Sequence, residues 1–317
     1  MADIQRFAAA LYDFDGVASV KAALSAAICR MPEPFGDCDA DGVGEIYAGL
    51  SAAWPDFERR RYISITGVDG QGLSWVGEAG TYVGTFAEDW LGIPATRRTV
   101  HMRFHEFFRL DGADIVETQF GWDIPEVMMQ AGAWPLAPSL GRDWCVPGPA
   151  TCDGISPGGD GAAAKELVLQ MLEKLVRHPA EGGPEVMELE RYWHPKMHWY
   201  GPAGIGTARG IDGFRRHHQI PFLAAMPDRG GQDADIVFHF FAEGNYVGVT
   251  GWPNMRQTLS DAGWLGLPGV GREVTLKSLD FWRIENGLIR ENWVLVDLID
   301  LYQQLGIDVF QRMGELR

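Results

Sequence analysis

The second half of the chain switches between two periodicities. Residues 163–178, AAKELVLQMLEKLVRH, place apolar side chains three and four apart, the spacing of an amphipathic helix, and EVMELERYW (185–193) and the run after Gly210 read as further helix. Three strand-like runs follow: 235–252, 273–285 and 288–297. A turn at Glu243-Gly244-Asn245 divides the first run, and Glu285-Asn286-Gly287 separates the last two; Asn-Gly is a strong hairpin signal. Helical spacing returns in LIDLYQQL (298–305). Helices followed by an antiparallel meander imply an α+β fold, with a curved sheet wrapped around helices and a pocket between them.

The same order occurs twice. WLGIPATRRTVHMRFHEFFRLDGADIVETQFGWDIPEVMMQAG (90–132) aligns without a gap, 174 residues on, with WLGLPGVGREVTLKSLDFWRIENGLIRENWVLVDLIDLYQQLG (264–306). Thirteen of the 43 positions are identical, where ordinary composition would give roughly 3 by chance. Upstream, LSAAWPD (50–56) matches FLAAMPD (222–228) at an offset of 172. The stretch 139–164 is rich in Pro and Gly and has no periodicity, so it reads as a linker or a surface belt. The expected organisation is a first domain over 1–140, a linker over 141–160 and a second domain over 161–317. The first copy is expected to be shorter at its front, where nothing matches the helical 163–178.

Composition narrows the function. With 46% hydrophobic residues, 12 Trp and 16 Phe, the chain can bury two sizeable cores. A net charge of −16 argues against nucleic acid and anionic membrane as partners, since both attract basic patches. The start, MADIQRFAAALYDFDG, lacks the basic and apolar order of a signal peptide, and no apolar run reaches membrane-spanning length. Cys29, Cys38, Cys145 and Cys152 form no CxxC pair and no zinc spacing, so reduced thiols in a cytoplasm are expected. No metal set, phosphate loop or G-x-S-x-G elbow competes as an alternative chemistry.

One acid stands out. The apolar run Trp293-Val294-Leu295-Val296 ends on Asp297, directly before the LIDLYQQL helix. A buried carboxylate is costly unless it is paired, hydrogen-bonded or protonated. Asp297 therefore either caps the helix or lies in a pocket and does chemistry. Trp293 and Leu295 share its strand parity, which predicts a common face. Its counterpart 174 residues earlier is Asp123.

Several steps in copy two carry a resemblance: Pro227-Asp228, Thr250-Gly251, Leu267-Pro268 with Gly271-Arg272, Asp280-Phe281-Trp282-Arg283-Ile284, Gly287 with Ile289, and Asp297 before QQLG. Together they resemble the SnoaL-like polyketide cyclases of the nuclear transport factor 2-like superfamily. Copy one is similar through Pro55-Asp56, Gly77, Ile93-Pro94, Phe107-Phe108-Arg109, Asp111-Gly112, Ile115 and Asp123. The resemblance implies two tandem cone-shaped α+β barrels that pair sheet against sheet within the chain. It also implies a cofactor-independent cyclase or isomerase acting by intramolecular aldol closure on a small, carbonyl-bearing apolar metabolite. Asp297 would be the general acid/base, with Asp123 doing the same or retired, and with no metal and no cofactor. An apolar, aromatic-walled pocket suits such a base by raising its pKa toward neutrality.

Around Asp297 the expected substrate-binding residues are His198, Trp199, His239, Trp293 and Trp252. For His198 and His239 a structural role is the competing reading, and His217-His218 read as part of a solvated helix face. Glu117 and Glu291 are expected to form structural ion pairs with Arg109 and Arg283. Two other functions compete on the same fold: epoxide hydrolysis, which wants an Asp/Arg/Asp water site that the sequence does not place, and a non-catalytic ligand-binding or dimerisation module.

Overall fold

In a computed structural model, which describes residues 21–177, 182–230 and 235–316, each half of the chain builds a six-stranded mixed sheet. The N-terminal stretch 1–16, read above for a signal sequence, lies outside the described residues, as does His178 at the end of the first expected helix.

Copy one runs β1 (Ile28–Arg30), β2 (Asp37–Cys38), α1 (Ala40–Ala53), β3 (Glu58–Val68), β4 (Ser74–Thr85), β5 (Thr99–Asp111), β6 (Asp114–Trp122) and α2 (Ile124–Gln130). Copy two opens with α3 (Ala162–Leu175), a 3-10 turn (Pro184–Met187) and α4 (Leu189–Tyr192). Then come β7 (Trp193–Tyr200), β8 (Thr207–Arg209) and α5 (Gly210–Phe214), which continues through a π turn (Arg215–Gln219) into α6 (Ile220–Ala225). The chain closes with β9 (His239–Glu243), β10 (Tyr246–Thr250), β11 (Met255–Leu259), β12 (Arg272–Leu276), β13 (Ser278–Glu285), β14 (Leu288–Val296), α7 (Leu298–Gln304) and α8 (Val309–Glu315).

The strand orders, β2-β1-β6-β5-β4-β3 and β8-β7-β14-β13-β10-β9, are the same. In both, the first strand pairs in parallel with the last, β1 with β6 and β7 with β14, and the remaining neighbours are antiparallel. The α+β class and the two-barrel arrangement expected from the sequence are present. The hairpin at Asn286-Gly287 forms with both residues at positive φ, 52° and 76°, the geometry of the tight turn that Asn-Gly favours.

Copy one has more at its front than the sequence comparison expected. β1, β2 and α1 take the places of β7, β8 and the helix after Gly210. The similarity there is too sparse to read: Pro32 and Gly36 recur as Pro202 and Gly206, 170 residues on, with little else between. Any counterpart of α3 would fall before residue 21, outside the described residues.

The two sheets meet face to face, and equivalent residues meet each other. Phe107 and Phe281, 174 apart, stack at 5.0 Å with ring planes 18° apart. His105 donates from Nδ1 to the carbonyl of Leu279, also 174 away, at 2.5 Å. Ile63, Ile65, Trp75, Phe241, Tyr246 and Trp293 complete this buried cluster. Such contacts between like patches mark an isologous, two-fold interface, here formed inside one chain. The stretch 141–160 contains no helix or strand and lies across both copies. Along the edge of β3, Ser64 donates to the Gly154 carbonyl and accepts from the Ser156 amide of this stretch, Arg142 pairs with Thr207 in β8, and the Pro147 carbonyl accepts from Trp293 Nε1 at 2.9 Å.

Because Phe281 fills the centre of this contact, Phe281→Ala is expected to cost about 3–5 kcal/mol, the range for a buried Phe truncation. Urea denaturation followed by tryptophan fluorescence should show one cooperative transition at lower urea. Two separate transitions in the parent protein would contradict the seam as a shared core.

Candidate functional site

Strand alternation sends β13 residues to opposite faces. Leu279 and Phe281 enter the seam, while Ser278, Asp280 and Trp282 point into the copy-two cone. On the neighbouring β14, Asn292, Val294 and Val296 face the same way. The helix from Gly210 to Ala225 and the inner face of α3 close the other side with Phe214, His218, Phe222 and Met171. The enclosed cavity is about 100 Å³ and aromatic-walled. Its size suits a small ring or the reacting end of a larger molecule, since whole-ligand pockets run roughly 300–1,000 Å³.

Among the described residues, six polar side chains face this space: His218, Arg229, Asn254, Ser278, Asp280 and Asn292. Asp280 accepts from Ser278 Oγ at 2.8 Å. Burial pushes its carboxyl up to about 7, against the opposing pull of Ser278 and the positive charge of Arg229. His218, set in the π turn, lies flat on Trp199 at 4.0 Å; its Nδ1 has no partner among the described residues. Burial, with Arg229 adding to it, drives its pKa down to about 3, so the ring is neutral. π turns inserted in α-helices recur at functional sites. Arg229 sits 5.2 Å over the Phe222 ring, its pKa lowered to about 10 by burial, and among the described residues no carboxylate forms a salt bridge with it. Asn292 donates to the Phe281 carbonyl at 3.0 Å and lines the same wall.

The corresponding space in copy one is filled by a charge network. Glu106 stands 174 before Asp280. It accepts from Arg59 at 2.6 Å, Tyr82 at 2.8 Å and Trp122 Nε1 at 3.0 Å. Arg59 also binds Glu78 at 2.7 Å and lies 4.4 Å over Phe104. Tyr47, 171 before His218, bonds to Tyr82 at 2.7 Å. The same acid position is thus locked in one cone and left open in the other.

Of the residues singled out by sequence, Trp199 lines the copy-two cavity, and the others lie elsewhere. Asp297 does share a face with Trp293 and Leu295, but it is the seam face, not the pocket face. Both faces of the sheet are buried, one by its own cone and one by the other copy, so apolar alternation could not tell them apart. Asp297 accepts from the Asp300 amide at 3.1 Å, which caps α7, and from the Glu33 amide of copy one at 3.0 Å. Lys277 stands 3.8 Å away, and burial pushes the carboxyl up to about 6. Asp123 mirrors this, accepting from the Ala203 amide of copy two at 3.0 Å and from Arg103 at 3.2 Å. Trp293 is sealed in the seam. Trp252 packs beside the seam with Lys277 4.6 Å over its ring. His239 bonds to Asp69 of copy one at 2.7 Å, and His198 accepts from Arg209 at 2.8 Å on the outer surface.

The expected ion pairs are present: Arg109–Glu117 at 3.0 Å and Arg283–Glu291 at 2.6 Å. Sequence reasoning missed Asp280, Arg229 and the burial of His218. A usable signal existed: Glu106/Asp280 is an acid-for-acid exchange in the repeat, on a strand where Ser278, Asp280 and Trp282 share one face. Among the described residues, no group of three or more His, Cys, Asp or Glu side chains is arranged to hold a metal ion, and no helix is long and apolar enough to cross a membrane.

A curved six-stranded sheet closed by helices recurs in both halves, so the fold defines two α+β domains of one kind in a single chain. Residues 168–305 match the family model described as SnoaL-like polyketide cyclase. No curated protein matches the chain. Similar solved structures include IdmH from Streptomyces antibioticus, at 20% identity and TM-score 0.34, covering 39% of this chain and 91% of that one. TsrD from Streptomyces laurentii is similar at 24% identity and TM-score 0.33, covering 47% of this chain and 98% of its own. Each thus overlaps less than half of the chain.

The raised pKa of Asp280 has a thermodynamic consequence. An unfolded Asp titrates near 3.9, below the folded value of about 7. Its contribution to stability is therefore full below about pH 4 and is lost as pH rises through 7. Asp280→Asn removes that loss, so the melting temperature of the variant relative to the parent should climb between pH 4 and pH 8. A constant difference across that range would show that Asp280 ionises as freely as an exposed acid.

Proposed function

We propose that copy two is a cofactor-independent acid/base enzyme of the SnoaL-like kind, with Asp280 rather than Asp297 as its proton-transfer group. The observation that carries this reading is the contrast at one repeated position. Glu106 is saturated by Arg59, Tyr82 and Trp122, whereas Asp280 faces a cavity with a single hydroxyl partner and a pKa near neutrality. A general base works best with a pKa close to the operating pH.

The substrate class that fits is a small, carbonyl-bearing apolar metabolite. The aromatic walls bury its ring, and ionised Asp280 takes a proton from the carbon next to the carbonyl. Negative charge then develops on the carbonyl oxygen. Arg229, which forms no salt bridge among the described residues, lines the same cavity and offsets it. Neutral His218 and Asn292 provide hydrogen bonds that orient the oxygen. The proton returns from Asp280 after an intramolecular aldol closure or an isomerisation. For copy one a different reading is favoured by its filled cone: it serves as a pairing module, holding the second sheet from behind.

The test is turnover of a ketone or β-keto ester, followed as carbon–carbon bond closure or as α-proton exchange in D₂O by NMR. Asp280→Asn should lower kcat about 10²–10⁴-fold, the usual yield of general acid–base catalysis. The parent's kcat/KM should rise with pH toward a plateau above about 7, as Asp280 ionises. Asp297→Asn should leave kcat within a few-fold and cost about 0.5–2 kcal/mol of stability, the size of a lost helix cap. The reverse pattern would sink the assignment.

A further inference from the structure

The two strand-end acids are mirror images in their bonds across the seam but differ in one oxygen. Asp297 uses both: Oδ2 accepts from Glu33 and Oδ1 from Asp300. Asp123 uses Oδ2 for Ala203 and Arg103, while its Oδ1 has no partner among the described residues, although the side chain is only 2% exposed. The reason is local. In α2, Pro125 lacks an amide proton, and the Glu126 amide bonds to the Asp123 backbone carbonyl instead of its side chain.

Asp123 lines a cavity of about 220 Å³ along the seam, larger than the one in the copy-two cone. Its walls come from three parts of the chain: His101, Asp123 and Glu126 of copy one, Arg142 and Trp144 of the belt, and Thr207 of copy two. His101 and Glu126 pair at 3.2 Å, and the other Glu126 oxygen accepts from the Arg103 amide at 2.7 Å, so that acid is occupied. Arg142 is anchored through its backbone to Thr207, yet among the described residues its exposed guanidinium forms no ion pair. The walls of one cavity thus include an acid with an unbonded oxygen and a guanidinium without an ion pair among the described residues. A buried acceptor without a donor is costly and calls for a partner, and a guanidinium fork is suited to a carboxylate.

We propose that this seam cavity is a second ligand site, which takes a small carboxylate carrying a neighbouring hydroxyl or ammonium group. The carboxylate lies on Arg142, and the neighbouring donor reaches Asp123 Oδ1. Burial, reinforced by the charge of Glu126, holds the Asp123 carboxyl up to about 6, the state of an acid short of donors. Because residues of both copies form the walls, occupancy ties the two domains together at a place separate from the copy-two cone.

Three isosteric acids test it: lactate, alanine and propionate, bearing a hydroxyl, an ammonium or neither on the second carbon. Affinities are read by saturation-transfer NMR on the full chain. Lactate or alanine should bind at least about tenfold tighter than propionate, the value of one hydrogen bond to a charged group, and the stronger of the two identifies the donor. Arg142→Ala, on an exposed side chain, should weaken binding about tenfold or more. Asp123→Asn should erase the preference over propionate; if that variant does not fold, Arg142→Ala still decides. Asp280→Asn should change nothing here, which keeps this result independent of the reading of the cone. Equal binding of all three acids, no binding at millimolar concentration, or an unaffected Arg142→Ala would each overturn the proposal.

Discussion

The back-to-back contact of the two sheets, centred on Phe107 against Phe281, constrains the rest of the structure. A sheet that wraps its own helices has one face committed to the cone. Pressing its other face on a second sheet buries residues on both sides of the central strands. Strands buried on both faces lose the polar-out alternation of a solvated sheet. Polar groups placed there must be bonded across the seam, as His105, Asp123 and Asp297 are. The Pro- and Gly-rich belt completes the arrangement by covering the β3 edge, which would otherwise offer open backbone groups.

The sequence carried the architecture well and the site poorly, for one physical reason. Residues kept identical across the repeat are mainly those that build it. Gln130 and Gln304 each clamp a neighbouring strand, bonding both to the amide and to the carbonyl of His101 and Thr275. Arg109–Glu117 and Arg283–Glu291 brace equivalent hairpins. Asp123 and Asp297 belong to this set, since each bonds across the seam to the other copy. The proposed site lies where the copies diverge: Glu106 against Asp280, and Tyr47 against His218. The burial of His218 was hidden because its helix contains a π turn, which shifts the face that ordinary helical spacing would assign to it.

One buried acid position is handled in two ways. In copy one, burial of the carboxylate is matched by a guanidinium, a phenol and an indole, and that network stiffens its cone. In copy two the carboxyl is shorter and its partners are few, so part of its desolvation is left uncompensated and appears as a raised pKa. That uncompensated part is what makes the group responsive to a proton and to a ligand.

The filled cone of copy one also speaks to inheritance. In a dimer of identical chains, any replacement that plugs one cavity with Arg59 and its acids plugs the other as well, and the reaction is lost. Joining two copies in a single reading frame removes that coupling. One lobe can then drift toward rigidity while its twin keeps a reactive interior. A gene of this kind gives its two lobes a freedom to differ that two separate, identical subunits lack.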